Sequence, residues 1–467
     1  MPDLESAAVA RLTAHPWPPP ALAALGRLRA GGHQAYLVGG TLRDVLLGRA
    51  GTELLDVATD RRPDEVMSLF PRVEPIGLAH GTVLVLSEGL GFECTTFRRE
   101  GAYADARHPD EVEFTPDLRA DLARRDFTVN AMAFDPWSGV LVDPHGGLAD
   151  LEARRLRAVG EPLARFREDA LRPVRAARFA ATLELAVEPA TRAALGGVAD
   201  RARRVALERV REELVKLMAA PRPSVGLELL REAGLLSLWM PELARCHAVP
   251  QNRWHAYDVY THSLETCDHA PAGKPVVRWA ALLHDIGKPD TRVERRGEGT
   301  FYGHQSVGAE LADRLLERLR FPGAMRAAIV LLVREHMFDY RAEWSDAAVR
   351  RWVRRVGEDA VADLFDLRIA DLLGNGLKLG FPAVLEPLRR RVERVLAADH
   401  ALHVADLAVD GRDVMAALGV GPGPVVGETL GALLEEVLED PGANTRERLL
   451  ARLAEMRAAR GDAPGGA

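Results

Sequence analysis

The feature that most constrains the fold is a change of residue pattern near Leu148. Before it, short apolar runs alternate with glycine-containing turns, which is typical of mixed α/β structure. After it, Ala, Leu and Arg dominate long segments that contain few Gly or Pro residues. Apolar residues there recur at helical spacing, as at Leu207, Val210, Leu214 and Leu217. The sequence therefore predicts an α/β first part and a mostly helical remainder from about residue 160.

Length and composition limit the class of protein. The 467 residues suggest about three domains, and 47% hydrophobic with 28% charged residues is typical of a soluble folded chain. Three cysteines are too few for a disulfide framework or a four-cysteine zinc site. The beginning of the chain does not resemble a signal peptide, and apolar runs such as residues 327–333 are too short to span a bilayer. We therefore expect a cytoplasmic protein without a membrane partner.

The net charge hides a local basic region. The chain has 61 Lys and Arg residues against 68 Asp and Glu, a formal charge of −7, which argues against a generally basic nucleic-acid binder. Residues 151–215, however, contain 14 Arg, no Lys and 10 acidic residues. This stretch is either a solvated helical face or a surface that binds phosphates.

A strand, two glycines and a helix form the first candidate site. The apolar run at residues 35–38 predicts a buried strand, Gly39 and Gly40 follow it, and residues 41–47 have a helical pattern. Glycines at such a turn let the backbone approach a phosphate, and a helix N-terminus favours negative charge. Further strands are predicted at residues 54–58, 82–86 and 92–97, with a hairpin at 131–134 and 140–142.

Carboxylates on these strands suggest a metal site. Glu53 and Asp56 lie on one predicted strand and Glu93 on another. Nucleotidyl transfer needs divalent cations, and Mg²⁺ prefers oxygen ligands that converge from neighbouring elements. The alternative is that these are surface acids at strand ends.

A second charged pattern follows the strands. Asp169, Arg172, Arg175 and Arg178 are spaced by three, which on a helix makes one stripe. A carboxylate and a guanidinium can together read the edge of a base, and further arginines can bind phosphates. Pro173 fits a helix if it lies in the first turn.

Five motifs follow one another along the first part of the chain. They are Tyr36-Leu-Val-Gly-Gly-Thr-Leu-Arg-Asp44, Asp56-Val-Ala-Thr-Asp60, Glu93-Cys-Thr-Thr-Phe-Arg98, Arg124-Arg-Asp-Phe-Thr-Val-Asn130 and Glu168-Asp-Ala-Leu-Arg172. In this order they resemble the motifs of class II tRNA nucleotidyltransferases, the bacterial family of CCA-adding enzymes and poly(A) polymerases. The resemblance covers about residues 30 to 180, and residues 406–411 and 421–427 resemble the tail of longer members.

The resemblance implies an α+β fold, in which a polymerase-β-like nucleotidyltransferase head with a small mixed sheet precedes mostly helical domains. The implied division is a head at 1–150, a neck at 151–250, an HD domain at 251–375 and a tail at 376–467. It also implies a mobile loop at residues 98–112. The implied nucleotide contacts are Gly39, Gly40, Arg43, Arg125, Asp169, Arg172, Arg175 and Arg178, of which Asp169 and Arg172 select the base.

One departure from the family pattern concerns the metal site. The family carries Asp-x-Asp before Val-Ala-Thr-Asp, whereas this chain has Glu53-Leu-Leu-Asp56. Residues i and i+3 of a regular strand do not share a face. Glu53 and Asp56 therefore converge only if the strand bulges by one residue, and we predict such a bulge with Glu53, Asp56 and Glu93 as catalytic acids. A weakened or inactive transferase site is the alternative.

Histidines and aspartates form a second constellation. Six of the 14 histidines fall between residues 255 and 336, and the His284-Asp285 pair lies within an apolar segment, where a charge must be paired or ligated. This segment resembles the HD-domain phosphohydrolases. The resemblance implies metal ligands at His262, His284, Asp285 and Asp371, with His304 and His336 as further ligands or phosphate contacts. Mg²⁺, Mn²⁺ and Ni²⁺ all suit such ligands. The domain is then either a phosphohydrolase or a structural body.

The leading hypothesis is template-independent addition of CMP and AMP from CTP and ATP to the 3′ end of tRNA, with Mg²⁺ in the head. Three alternatives remain at this stage: an enzyme that adds only CC or only A, a poly(A) polymerase, and an HD phosphohydrolase with a degenerate head. The sequence leaves the oligomeric state open.

Overall fold

The computed structural model describes residues 2–49, 54–100, 112–253, 255–295, 298–338, 343–377, 385–397 and 402–461. It divides into two compact units. The first comprises residues 1–244 and 318–321, and the second comprises residues 245–317 and 322–467. No helix within these described ranges is long and apolar enough to cross a membrane. The finer division into four domains stays a prediction.

A seven-stranded mixed sheet forms the centre of the first unit, in the order β3-β4-β5-β2-β1-β8-β9. β2 and β5 are parallel and the other neighbours are antiparallel. This confirms the predicted α+β head. The strands up to residue 142 are β1 Ala35–Val38, β2 Leu54–Thr59, β3 Val73–Gly77, β4 Thr82–Ser87, β5 Leu90–Thr96, β6 Arg98–Glu100, β7 Val112–Phe114, β8 Ala133–Asp135 and β9 Val140–Val142.

The predicted strands agree with the structure to within about two residues. In β4, Val83 and Val85 are buried on one face, as period-two alternation requires. β3, β6 and β7 were not predicted. β6 and β7 pair with each other at the two ends of the predicted mobile loop, whose residues 101–111 lie outside the described part of the chain.

The helices of the first unit flank the sheet and continue beyond it. Val210, Leu214 and Leu217 are buried on one face of their helix, which confirms the predicted periodicity. Two short strands, β10 Arg155–Leu156 and β11 Ala186–Val187, pair in parallel. The helices are α1 Pro2–Ala14, α2 Pro19–Arg29, α3 Gly39–Leu46, α4 Pro63–Leu69, α5 Leu118–Ala123, α6 Gly147–Glu152, α7 Pro162–Glu168, α8 Arg172–Leu183, α9 Pro189–Ala194, α10 Ala199–Ala202, α11 Leu207–Met218, α12 Pro223–Glu232, α13 Leu236–Trp239 and α14 Pro241–Ala244.

The second unit is almost entirely helical, as predicted, apart from a hairpin of β12 Val293–Arg295 and β13 Glu298–Thr300. The remaining helices are α15 Val259–His269, α16 Pro275–Leu283, α17 Lys288–Thr291, α18 His304–Arg318, α19 Gly323–Glu335, α20 Asp346–Val356, α21 Glu358–Leu373, α22 Glu386–Ala397, α23 Gly411–Leu418, α24 Pro424–Glu439 and α25 Arg446–Gly461. α16 packs against α15, α19 and α21, which brings distant histidines and aspartates together.

Candidate functional sites

A cavity of about 750 Å³ in the first unit collects the predicted nucleotide and acid residues. Glu53 lies outside the described residues, so its predicted role as a ligand stays a prediction. The predicted residues that line the cavity are Gly39, Gly40, Arg43, Asp56, Glu93, Arg125, Asp169, Arg172, Arg175 and Arg178.

The two glycines bring the start of α3 against a carboxylate. The helix begins at Gly39 rather than at residue 41, and the backbone N–H of Gly40 donates to Asp56 Oδ2 at 2.8 Å. Gly39 has a φ of +63°, which favours glycine. A Cβ at this position would lie 2.9 Å from Asp56 Oδ2 and 3.0 Å from Arg125 Nη1. Both conformation and close approach therefore require glycine here.

We expect Gly39→Ala to reduce nucleotide addition at least about tenfold and to lower the thermal midpoint. An alanine in the left-handed region costs about 1–2 kcal/mol, and its methyl group would displace Asp56. Gly48→Ala is the matched control, because Gly48 also has a positive φ, +69°, but a Cβ there meets nothing within 4 Å. Equal losses of nucleotide addition in the two variants would contradict the role of close packing.

Asp56 and Glu93 form a cross-strand acid pair. They are register partners in the parallel pair β2–β5 and line the same cavity. Burial raises the pKa of Glu93 above its ordinary value, and the negative charge of Asp56 raises that pKa further. A bound divalent cation would offset this repulsion, so the pair fits the divalent metal that the resemblance implies for the head.

The predicted bulge is absent from the described part of β2. Pairing with β5 continues without a shift from Leu54 opposite Gly91 to Thr59 opposite Thr96. Leu54 therefore shares the face of Asp56, two residues away, and also lines the cavity.

Buried acids hold the arginines of the cavity in place. Arg43 donates to both carboxylate oxygens of Asp44, at 2.9 and 3.0 Å, and to Asn130 Oδ1 at 2.7 Å. Asp121 is fully buried and pairs with Arg124 at 2.7 Å and Arg125 at 3.2 Å. Burial alone would raise the pKa of Asp121, but these two guanidinium groups hold it below the ordinary value.

A second network positions the arginines of α8. Arg175 donates to Asp126 Oδ2 at 2.8 Å, and Arg178 donates to Glu213 Oε2 at 2.5 Å. The guanidinium of Arg178 also lies 3.8 Å from the centre of the Phe179 ring, a cation–π contact. These interactions fix two cationic groups at the cavity wall.

We expect Asp126→Asn to lower the thermal midpoint of the protein by several degrees at pH 7. Burial alone would raise the pKa of Asp126, but Arg175 and the amide of Asn130 hold it well below its ordinary value. Such a group stabilises the fold above its unfolded pKa of about 4, and this contribution is lost as the pH falls through the folded pKa. The difference in thermal midpoint between wild type and variant should therefore become smaller below about pH 4, which thermal unfolding from pH 7 to 3 would measure. A difference that stays constant over this range would contradict the stabilising role of the Asp126 charge.

The prediction that Asp169 shares one helical stripe with the three arginines of α8 is wrong for Asp169. Asp169 follows α7, whereas Arg172 begins α8 with Pro173 in its first turn. Asp169 pairs with Arg209 at 2.8 Å, and Arg172 pairs with Glu168 at 2.5 Å. The proline forced this break, since it cannot occupy a helix interior without loss of a hydrogen bond.

The second unit contains another cavity, of about 370 Å³, lined by His284, Asp285, His304, His336 and Asp371. The remaining predicted ligand, His262, contacts this group directly. Its Nε2 lies 3.1 Å from Asp371 Oδ1 and 3.5 Å from Asp285 Oδ2. All six predicted residues of the second constellation are therefore adjacent.

Hydrogen bonds orient the four histidines toward one another. Nδ1 of each ring lies 2.7 to 3.1 Å from a backbone carbonyl, which can only accept, so each Nδ1 carries a proton. The Nε2 atoms point inward: those of His262 and His284 are 3.2 Å apart, and those of His304 and His336 are 3.3 Å apart. Paired Nε2 atoms at this distance are a suitable arrangement for metal ligands.

Asp285 lies between the two histidine pairs. Its Oδ2 is 3.1 Å from His284 Nε2, and its Oδ1 is 3.3 Å from His304 Nε2. Burial lowers the pKa of His336 to about 3, which keeps that ring neutral as a ligand must be. Burial also lowers the pKa of His262, but Asp371 and Asp285 raise it above the ordinary value. The same two carboxylates favour a cation at this place.

Two groups of residues in the described chain could each hold a metal ion, and they share Asp285. The first contains His262 and His284, and the second contains His304 and His336. Such donors fit the divalent metal that an HD domain implies.

Sequence reasoning missed the residues that support both sites. Arg209 and Glu213 carried no signal beyond their spacing of four on the polar face of α11, and Asp121 carried none. In the second unit, Lys288 lies 2.6 Å from Asp285 Oδ2, and Arg368 lies 2.6 Å from Asp371 Oδ2. A basic residue three positions from a predicted ligand, after Asp285 and before Asp371, is the signal that could have identified these two.

Three family models match successive parts of the chain. They are the poly A polymerase head domain at residues 35–157, a probable RNA and SrmB-binding site of polymerase A at 184–246, and the HD domain at 255–376.

Known proteins are similar over nearly the whole chain. A CCA-adding enzyme of Levilactobacillus brevis is 35% identical over 91% of this chain and 95% of its own length. An A-adding tRNA nucleotidyltransferase of Deinococcus radiodurans is 39% identical over 86% of this chain and 91% of its own length. Among solved structures, the Bacillus stearothermophilus CCA-adding enzyme in complex with CTP has a TM-score of 0.73 at 29% identity, and covers 95% of this chain and 99% of that one.

Proposed function

Because this chain belongs to the bacterial family of CCA-adding enzymes and poly(A) polymerases, we propose that it adds CMP and AMP from CTP and ATP to the 3′ end of tRNA, with release of pyrophosphate. It is a nucleotidyltransferase of that family. One observation carries the proposal: a single cavity holds eight arginines around the acid pair Asp56 and Glu93. Guanidinium groups suit a triphosphate, and the acid pair suits the divalent cation that its transfer requires.

We propose that the arginines of the cavity bind phosphates and that the acids bind the cation. Arg43, Arg125, Arg175 and Arg178 would bind the triphosphate, beside the backbone of Gly39 and Gly40. A divalent cation held by Asp56 and Glu93 would favour ionisation of the attacking 3′ hydroxyl and stabilise charge on the phosphates.

Base selection is proposed for Asp169 and Arg172. Both line the cavity, and their ion pairs with Arg209 and Glu168 fix the carboxylate and the guanidinium in place. A base that docks between them would meet an acceptor and a donor in fixed positions. Glu53 as a further ligand remains a prediction.

tRNA would bind chiefly through its acceptor arm. The arginine-rich residues 151–215 follow the cavity residues in the chain, and phosphates of A-form RNA suit such a surface. We place this reaction in the cytoplasm, where tRNA is processed.

An enzyme that adds only the terminal A is the second candidate. The A-adding enzyme of Deinococcus radiodurans is 39% identical, against 35% for the Levilactobacillus CCA-adding enzyme. These figures do not separate the two products. CC-only addition and poly(A) synthesis would use the same cavity.

Primer extension separates the products. Purified protein is mixed with Mg²⁺, CTP and ATP and with one of three tRNAs, which lack CCA, lack CA or lack only the terminal A. We expect each tRNA to be completed to CCA. Extension of only the third tRNA would establish A addition, extension that stops at CC would establish CC addition, and a long tail would establish poly(A) synthesis. No extension by folded, tRNA-binding protein would contradict nucleotidyl transfer and favour the HD unit as the active one.

We further propose that the HD unit is a metal-dependent phosphohydrolase. His262, His284, Asp285 and Asp371 would hold one divalent cation, and Asp285 with His304 and His336 a second; Mg²⁺, Mn²⁺ and Ni²⁺ are the candidates. A cation there would activate water for attack on a phosphoester. Lys288 and Arg368 line the same cavity and would bind the negative phosphate.

A further inference from the structure

Leu54 is an apolar residue in a charged cavity. It lies two residues before Asp56 on the same face of β2, and it lines the cavity beside Asp56 and Glu93. Its side chain is not part of the core, because the residue is 37% exposed, whereas the cavity-lining Val57 and Phe179 are buried. The sequence therefore exposes an isobutyl group, which has no ligand atom, beside the acid pair.

Only two of the five carboxylates in the cavity lack a cationic partner among the described residues. Asp44 pairs with Arg43, Asp126 with Arg175, and Asp169 with Arg209. Asp56 and Glu93 have no lysine or arginine within 4.0 Å among the ion pairs of the described chain. Within the described residues of the cavity, the acid available to a cation is therefore limited to these two side chains.

We propose that Leu54 restricts the head to a two-carboxylate cation site, so that the nucleotide's own phosphates supply the ligands that a third carboxylate would otherwise provide. This rests on the proposed nucleotidyl transfer. Cation affinity follows the number and charge of the ligands, so the free head binds Mg²⁺ weakly and takes it up together with the triphosphate. A carboxylate at position 54, on the face of Asp56, would complete the site.

The test measures binding rather than turnover. CTP is titrated into the full-length protein by calorimetry at a series of Mg²⁺ concentrations, which gives the Mg²⁺ concentration for half-maximal tightening of CTP binding. We expect Leu54→Asp to lower that concentration about tenfold or more, and Leu54→Asn to lower it by less, since an amide oxygen is a neutral ligand.

Ile76→Asp is the matched control. It adds the same charge to another exposed strand residue, 52% exposed on β3 and outside the cavity lining, and should leave the Mg²⁺ requirement unchanged. Glu53→Gln is a separate test, because a two-carboxylate site expects an unchanged Mg²⁺ requirement, whereas the predicted ligand role of Glu53 expects a higher one. The thermal midpoint of each variant shows whether it is folded.

Either of two results would contradict the inference. If folded Leu54→Asp and Leu54→Asn both keep the wild-type Mg²⁺ requirement, a carboxylate at position 54 does not complete the site. If Glu53→Gln raises the requirement about tenfold, Glu53 already supplies the third carboxylate. Neither result affects primer extension by the wild type, which tests the proposed function separately. Gain of extension in Leu54→Asp at low Mg²⁺ would support the inference.

Discussion

Asp56→Asn should reduce nucleotide addition to tRNA by at least about 100-fold, as measured by primer extension under saturating CTP, ATP and Mg²⁺. The asparagine has nearly the same size and can still accept from the backbone N–H of Gly40, which lies 2.8 Å from Asp56 Oδ2. It cannot supply the negative charge. Glu93 is then the remaining carboxylate of the acid pair, so the variant loses half of the negative charge that this pair offers to a cation.

Asp64→Asn is the matched control for this change. Asp64 is an exposed residue in the first turn of α4 and does not line the cavity. Its replacement should leave nucleotide addition within about twofold of the wild type. Full activity of Asp56→Asn would contradict the role of the acid pair and would indicate that other residues bind the cation.

If the HD unit is the proposed metal-dependent phosphohydrolase, Asp285→Asn should lower its metal content and abolish the hydrolysis while nucleotide addition continues. Asp285 is the residue shared by both possible metal groups. The variant should also be less stable, on the order of 3 kcal/mol, because Lys288 is buried 2.6 Å from the lost charge. The measurements are metal content by elemental analysis after dialysis, hydrolysis of bis-p-nitrophenyl phosphate, and primer extension.

Asp290→Asn separates this effect from a general loss of charge. Asp290 lies on α17 and pairs with Arg245 at 2.6 Å on a partly exposed surface. This variant should retain metal and activity. Unchanged metal content in Asp285→Asn would contradict a shared ligand, and loss of nucleotide addition in a folded Asp285→Asn would favour a single HD-dependent activity.

The predictions from motifs agree with the structure wherever a residue's position along one element determines its neighbours. Gly39, Gly40 and Arg43 are consecutive parts of one strand–helix turn, so their common location follows from local structure. The predictions that differ from the structure concern which residues share a helix or a strand face. The spacing predicts Asp169 on the helix of Arg172, but that helix begins at Arg172, with Pro173 in its first turn.

The register of β2 does not follow from the sequence, for a physical reason. A sequence shows which residues alternate, but pairing with β5 decides the register. The regular register puts Leu54, not a carboxylate, on the face of Asp56. The supporting ion pairs of Arg209 and Glu213 likewise depend on where α11 packs, which no local spacing specifies.

The sequence by itself determined a first part with strands and helices, the helical remainder and the glycine turn, because these follow from periodicity and from residues with specific chemistry. The resemblance of its motifs implied the α+β head and the roles of both sets of charged residues. Only the tertiary structure decided which charges meet. The convergence of His262 with Asp371, 109 positions apart in the chain, depends on the packing of α15 against α21. Contacts between remote elements form because the apolar faces of the helices must be buried together. The packing of these apolar faces, rather than the polar residues on the same helices, determines the geometry of the site.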